Sequence, residues 1–252
     1  MTIKQNKKTR TLIVMMTVLV FAGVGIAMVH YKGVNRFVDP RIKEARLLYE
    51  KYNEFASSNQ HDSIFWLMDT IESIYHSFDH YKESYETAVL YNNRAAVHLS
   101  VYLQPENEIL IRDTAKLMSK AENAVKYSIR IIRDWINRFE GLDEDEIRKA
   151  IEKDFLIGMD HYSSEEKEKF LEKRVEEIIE AQIENKRRLS VSYTNLGIIK
   201  RHQERYDSAA IYYKKAIDLW DRNLSAENNL NILLNRPLKK PNLIQKLFPP
   251  EK

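Results

Sequence analysis

The chain has no cysteine, and only six glycines and six prolines in 252 residues. The first absence excludes disulfides, thiolate metal sites, cysteine nucleophiles and a lipid-modified cysteine near the N-terminus. The second leaves too few turn formers for a many-stranded β fold, since ordinary usage is about 7% Gly and 5% Pro. An all-α fold follows. There is also no phosphate-cradling glycine loop, no His-Glu-x-x-His pair and no Gly-x-Ser-x-Gly elbow. The acidic run Asp143-Glu144-Asp145-Glu146 lacks the glycine and alternating oxygen ligands of a calcium loop. A protein that is not an enzyme, and that carries no cofactor and no metal, is therefore expected.

What is present begins with charge. The formal net charge is +3, but Lys4, Lys7, Lys8 and Arg10 all precede the first acidic residue, Asp39. Removing those four leaves 36 basic residues against 37 acidic ones, a balance that gives no reason to expect a nucleic-acid partner. Thr11 to Val29 is a run of 19 uncharged, mostly apolar residues. As a helix at about 1.5 Å per residue it approaches the roughly 30 Å of a bilayer's hydrocarbon core. The basic segment 1–10 and the apolar segment 11–30 thus predict an uncleaved single-pass anchor with a cytoplasmic N-terminus and an extracytoplasmic remainder. The rival is a cleaved signal peptide with Gly25 and Ala27 as its small residues; the apolar run is longer than such regions usually are. Gly23 and Ala27 have the small-xxx-small spacing that can bring two spans together as a homodimer.

After a linker over 31–39, Asp39-Pro40 predicts a helix start, with a stripe Ile42, Ala45, Leu48, Tyr49, Tyr52, Phe55 running to about residue 57. Asp62 or Ser63 is expected to cap a second helix, to about residue 79. Two long helices over about 81–103 and 107–138 follow, separated by Gln104-Pro105-Glu106. Asp143 and its acidic neighbours then open a short helix that Gly158 ends. Ser163 and Glu166 form a capping-box pair before a long helix that has no breaker until about residue 204. Its apolar face is Leu171, Val175, Ile178, Ile179 and Ile183. The tail 236–252 holds four prolines and reads as extended, with Leu243, Ile244, Leu247 and Phe248 able to dock on a neighbour.

Within this organisation one stretch is distinctive. Tyr193, Leu196 and Gly197 are followed by Tyr206, Ala209, Tyr213 and Ala216, with Asp207 placed to cap the second helix. Small residues seven apart let two helices touch, and a large ring fills the space between them. These residues resemble the tetratricopeptide repeat, a helix–turn–helix unit of about 34 residues, over roughly 190–223; Asp221 stands where that unit usually ends in proline. Tyr91-Asn92-Asn93-Arg94-Ala95 echoes Tyr193 to Gly197. Ala124, Tyr127, Ile132 and Trp135 repeat the spacings of Ala209, Tyr212, Ile217 and Trp220. Asn229-Leu230 falls 34 residues after Asn195-Leu196, as if a further unit began, with Ser225 its cap. The resemblance implies an irregular array of antiparallel hairpins over 40–235 that binds a protein partner.

The first helix of each unit lines the concave face in that family, which assigns partner binding to Asn93, Thr194, Asn195, Ile198, Arg201 and His202. Paired amides on Asn93 and Asn195 suit a peptide backbone, and Arg201 suits a carboxylate. Overall the sequence predicts a membrane-anchored adaptor in an envelope-associated complex. A cytoplasm-facing assembly chaperone of the same fold is the alternative. A metal-dependent hydrolase centred on His76 and His80, four residues apart, is a third reading; solvent-facing histidines near a helix end are the plainer account of that pair.

Overall fold

The computed structural model describes residues 37–58, 60–103 and 114–241. Among these residues the chain is helical and has no strand, and no helix is long and apolar enough to cross a membrane. The apolar segment 11–30, the linker up to residue 36, the Gln104-Pro105-Glu106 break and Leu243 to Phe248 lie outside the described residues.

A 3-10 turn, Pro40–Ile42, leads into α1, Lys43–Ser57. Asp39 is buried and caps the turn, its carboxylate accepting from the Arg41 amide at 2.9 Å and from the Tyr81 hydroxyl at 2.9 Å. Helix α2, His61–His76, starts after Gln60 without a side-chain cap, so neither Asp62 nor Ser63 serves. The single helix expected over 81–103 is two: α3, Asp79–Lys82, and α4, Tyr85–Leu103. The break falls where Ser84 Oγ accepts from the Thr87 amide and Thr87 Oγ1 donates to the Tyr81 carbonyl. Helix α5 covers Thr114–Phe139.

Helix α6, Glu144–Phe155, opens on a capping box between Asp143 and Glu146. Gly141 and Gly158 flank it with φ of +79° and +81°, the left-handed turns that glycine adopts without strain. Helix α7, Ser164–His202, runs 39 residues from the Ser163–Glu166 box. Helix α8 is Tyr206–Leu219 and α9 is Leu224–Leu233. Neither takes the expected cap. Helix α8 follows Arg205 with no side-chain bond, and α9 is capped by Asn223, whose Oδ1 accepts from the Ala226 amide at 2.9 Å, in place of Ser225.

Contacts fix the directions. Moving up α4, Tyr91 meets Glu72, Arg94 meets Asp69 and His98 meets Phe65, so α2 and α4 run antiparallel. Tyr85 against Trp135 and Tyr91 against Tyr127 set α5 antiparallel to α4. Glu122 with Lys200, Ser128 with Ser192 and the Phe139 carbonyl with Gln182 do the same for α5 and α7. Two contacts, Tyr85 with Arg188 and Asn92 with Asn195, then place α4 parallel to the second half of α7.

Two apolar cores result. The first joins Ile42, Ile64, Met68, Tyr81, Trp135 and Phe155 to Leu171, Val175 and Ile178 from the first half of α7. The second joins Ala88, Ala95 and Leu99 to Val125, Ile132, Leu196 and Ile199. Helix α4 supplies both, which is why it carries Ala, Val and Leu on several faces. Ile183 departs from the expected stripe: it is 78% exposed, between the two cores. Of the proposed packing residues, Leu196, Gly197, Ala209, Tyr213 and Ala216 are buried and Tyr193 stacks on Tyr212 at 6.0 Å. Tyr206, the first residue of α8, is 54% exposed.

Candidate functional site

A cleft of about 460 Å³ opens where α1, α4 and the second half of α7 converge. Helix α1 brings Arg46 and Tyr49, and α2 adds Tyr75 near its C-terminal end. Helix α4 contributes Tyr85, Glu86, Val89, Asn92 and Asn93, and α7 closes the far wall with Arg187, Arg188, Val191 and Ser192. The spacing on each helix is what puts them on one side: 85, 89 and 92 share a face of α4, and 188, 191 and 192 share a face of α7.

Two of its lining residues, Arg46 and Glu86, belong to an ion-pair network. Arg174, buried, lies against Glu86 and Glu177, and Arg46 lies 2.7 Å from Glu177. Burial alone would raise the Glu86 carboxyl, but the Arg174 guanidinium, its hydrogen bonds and Arg46 outweigh that and hold the pKa down at about 2. Burial works against the charge of Arg174 in the same way, and its carboxylate neighbours more than restore it. Glu86 and the two guanidiniums therefore stay ionised, and Glu177 lies within ion-pair distance of both Arg46 and Arg174. Burial pushes the Tyr49, Tyr75 and Tyr85 hydroxyls up, so all three remain protonated.

The cleft retains hydrogen-bonding capacity at its centre. Asn92 Oδ1 accepts from Asn195 Nδ2 at 3.0 Å, which leaves the Asn92 amide as a donor. Asn93 Nδ2 donates to the Tyr49 hydroxyl, which leaves Asn93 Oδ1 as an acceptor. The Arg188 guanidinium lies 4.8 Å over the Tyr85 ring and donates to Asn185 Oδ1 at 2.9 Å.

Of the six residues assigned to partner binding from sequence, Asn93 alone lines this cleft. Thr194 is buried, donating to the Ser190 carbonyl at 2.9 Å and accepting from Asn223 at 2.9 Å. Asn195 is spent on Asn92, and Ile198 packs against the second core. Arg201 donates to Asn229 Oδ1 at 3.0 Å, and His202 packs edge-on against Tyr102. After residue 193, α7 packs against α5, α8 and α9. The cleft is lined in addition by Arg46, Tyr49, Tyr75, Tyr85, Arg187 and Arg188. One signal for Arg188 was present in the sequence, because it stands seven residues before Asn195, on the same helical face.

His76 and His80 do not converge. His76 Nδ1 stands 4.0 Å from Glu72, while His80 turns inward between Tyr81 and Phe155, and its Nε2 accepts from Arg174 Nε at 2.9 Å. The surface placement expected for His80 is therefore corrected. Burial, and then Arg174, lower its pKa to about 2 and keep it neutral. Among the described residues no three His, Asp or Glu side chains gather as a metal site. A second hollow, beside Phe65, Tyr91 and His98, contains Arg94, which is already paired with Asp69 and Glu72. Comparison of the chain with protein-family models, with curated proteins and with solved structures finds no match.

Proposed function

We propose that the chain is a non-enzymatic, membrane-anchored adaptor with a tetratricopeptide-like array, whose cleft between α1, α4 and α7 holds a segment of a protein partner in an envelope-associated complex. The observation that carries this reading is the cleft's lining. It combines three tyrosine rings with amide donors and acceptors not used by the fold, the mixture that grips an extended peptide. Three helix pairs support the array: α1 with α2, α4 with α5 and α7 with α8, the first member of each facing the cleft. The internal echo adds to it, since the matched residues pair in both units: Tyr91 meets Tyr127 at 4.4 Å with tilted rings, and Tyr193 meets Tyr212 at 6.0 Å with stacked rings. The anchor rests on the apolar run 11–30 and its basic flank, and it would restrict the search for a partner to the membrane plane.

The test is site-specific photo-cross-linking in cells. A photoreactive residue in place of Val89, inside the cleft, is expected to give a discrete adduct that stays with the membrane fraction through a salt wash. The same residue in place of exposed Ile211 on α8 is expected to give none. Adducts from position 211 with none from 89 would place recognition elsewhere.

A further inference from the structure

The cleft's charges are unevenly matched, and the mismatch indicates what the partner brings. Arg46 and Arg174 are balanced by Glu86 and Glu177. Arg187 lies 2.6 Å from Glu184. Arg188 differs: among the described residues no carboxylate lies within 4.0 Å of its guanidinium, which has only the Tyr85 face and the Asn185 carbonyl oxygen. The tyrosines beside it cannot supply the missing charge, because burial keeps their hydroxyls protonated. A half-buried cation set over an aromatic ring has that face closed to water, and a counter-charge that arrives with a ligand restores the balance.

The geometry narrows the counter-charge. A guanidinium 4.8 Å over a ring still presents N–H donors in its own plane, where a carboxylate accepts two parallel bonds. One unpaired cation suits one carboxylate; a nucleic acid or phosphorylated surface would call for several, and the neighbouring arginines are already engaged. An aspartate or glutamate side chain carries its carboxylate on one or two methylenes, which the rings of Tyr49, Tyr75 and Tyr85 can cover. Resting on the adaptor reading above, we propose that the cleft recognises an extended segment of its partner through one acidic side chain, seated on Arg188 against Tyr85. Asn92 and Asn93 take the segment's backbone.

The experiment selects phage-displayed random heptapeptides on the immobilised full chain in detergent micelles. The proteins are wild type, R188Q, R188E, and two variants whose cleft is filled, V89W and V191W, each checked for native helicity. Wild type is expected to enrich peptides with Asp or Glu at one fixed position by about tenfold or more. R188Q is expected to lose that preference while still recovering peptides, and R188E to shift it to Lys or Arg. Peptides recovered through the cleft, and lost in the filled variants, but with no acidic preference or one that survives R188Q, would overturn the carboxylate inference and leave the cleft reading standing. Recovery equal on wild type and the filled variants, or none at all, would overturn both.

Discussion

A missing β-carbon sets how closely α7 and α8 approach. A Cβ built on Gly197 would lie 2.5 Å from Tyr213 Cε1 and 2.6 Å from Cδ1, well inside contact distance, and Tyr213 is fully buried. Gly197→Ala gains about 1 kcal/mol of helix propensity but forces that ring to move within a packed core, which costs about 1–3 kcal/mol. Net destabilisation by about 1 kcal/mol is expected in urea unfolding; a variant as stable as wild type would show that the ring can yield. A second residue-scale effect is set by His80. Its folded pKa of about 2 lies below the ordinary 6.5, so the unfolded chain binds the proton first as pH falls. Its contribution is complete above about pH 6.5 and is lost progressively toward pH 2, by up to about 1.4 kcal/mol per pH unit. His98, lowered to about 4 by burial and then by Lys120 and Arg94, adds to the same slope over a narrower range. His80→Gln keeps an acceptor for Arg174 and removes the titration. The fall in stability between pH 7 and pH 5 should be clearly shallower in that variant, and an unchanged slope would exclude His80 as its source.

At the scale of elements, what the sequence announced was what neighbouring residues decide. The boxes at Asp143 and Ser163 are closed by side chains three residues apart, and both were readable. Asn223 was not. It caps α9 with its Oδ1 while its Nδ2 donates to Ser190 Oγ at 2.8 Å and Thr194 Oγ1 at 2.9 Å. Its choice over Ser225 therefore depends on a helix some thirty residues earlier in the chain. Asp207 fails for the opposite reason: Glu204, at φ +61°, turns the chain so that α8 begins at Tyr206, two residues too early for Asp207 to cap it. The helices of the clear hairpin were legible because Gly197, Ala209 and Ala216 record a close approach in residue size. The cleft was legible at Asn93 and, faintly, at Arg188, seven residues before Asn195. Tyr49, Tyr85 and Arg188 meet from three helices far apart in the chain, and nothing local marks an arginine that lacks its acid. Thr194 and Asn195 have the right residue types, but polar side chains between packed helices join those helices to each other before they can serve a partner.

The molecule as a whole depends on α7. Phe170, Leu171, Val175, Ile178 and Ala181 belong to the first core, and Leu189, Leu196 and Ile199 to the second. At about 1.5 Å per residue this helix is roughly 58 Å long, so it ties two cores into one body only while it stays straight between them. The cleft depends on the same rigidity. Arg46 reaches Glu177 on the first half of α7, and Arg188 lies on the second half. Ile183, exposed between the cores, allows that rigidity to be tested without touching either. Ile183→Lys removes only a solvent-facing methyl-rich side chain and should change stability by less than about 0.5 kcal/mol. Ile183→Pro removes the N–H that donates a hydrogen bond to the residue 179 carbonyl and clashes with that carbonyl, a cost of about 3 kcal/mol or more in a helix interior. Hydrogen exchange should then show α8 and α9 opening at lower free energy than α2 and α6, where the lysine variant opens both together. If the proline variant keeps uniform protection, α4, which also contributes to both cores, is sufficient to couple them, and α7 is not the part that makes the two cores one folding unit.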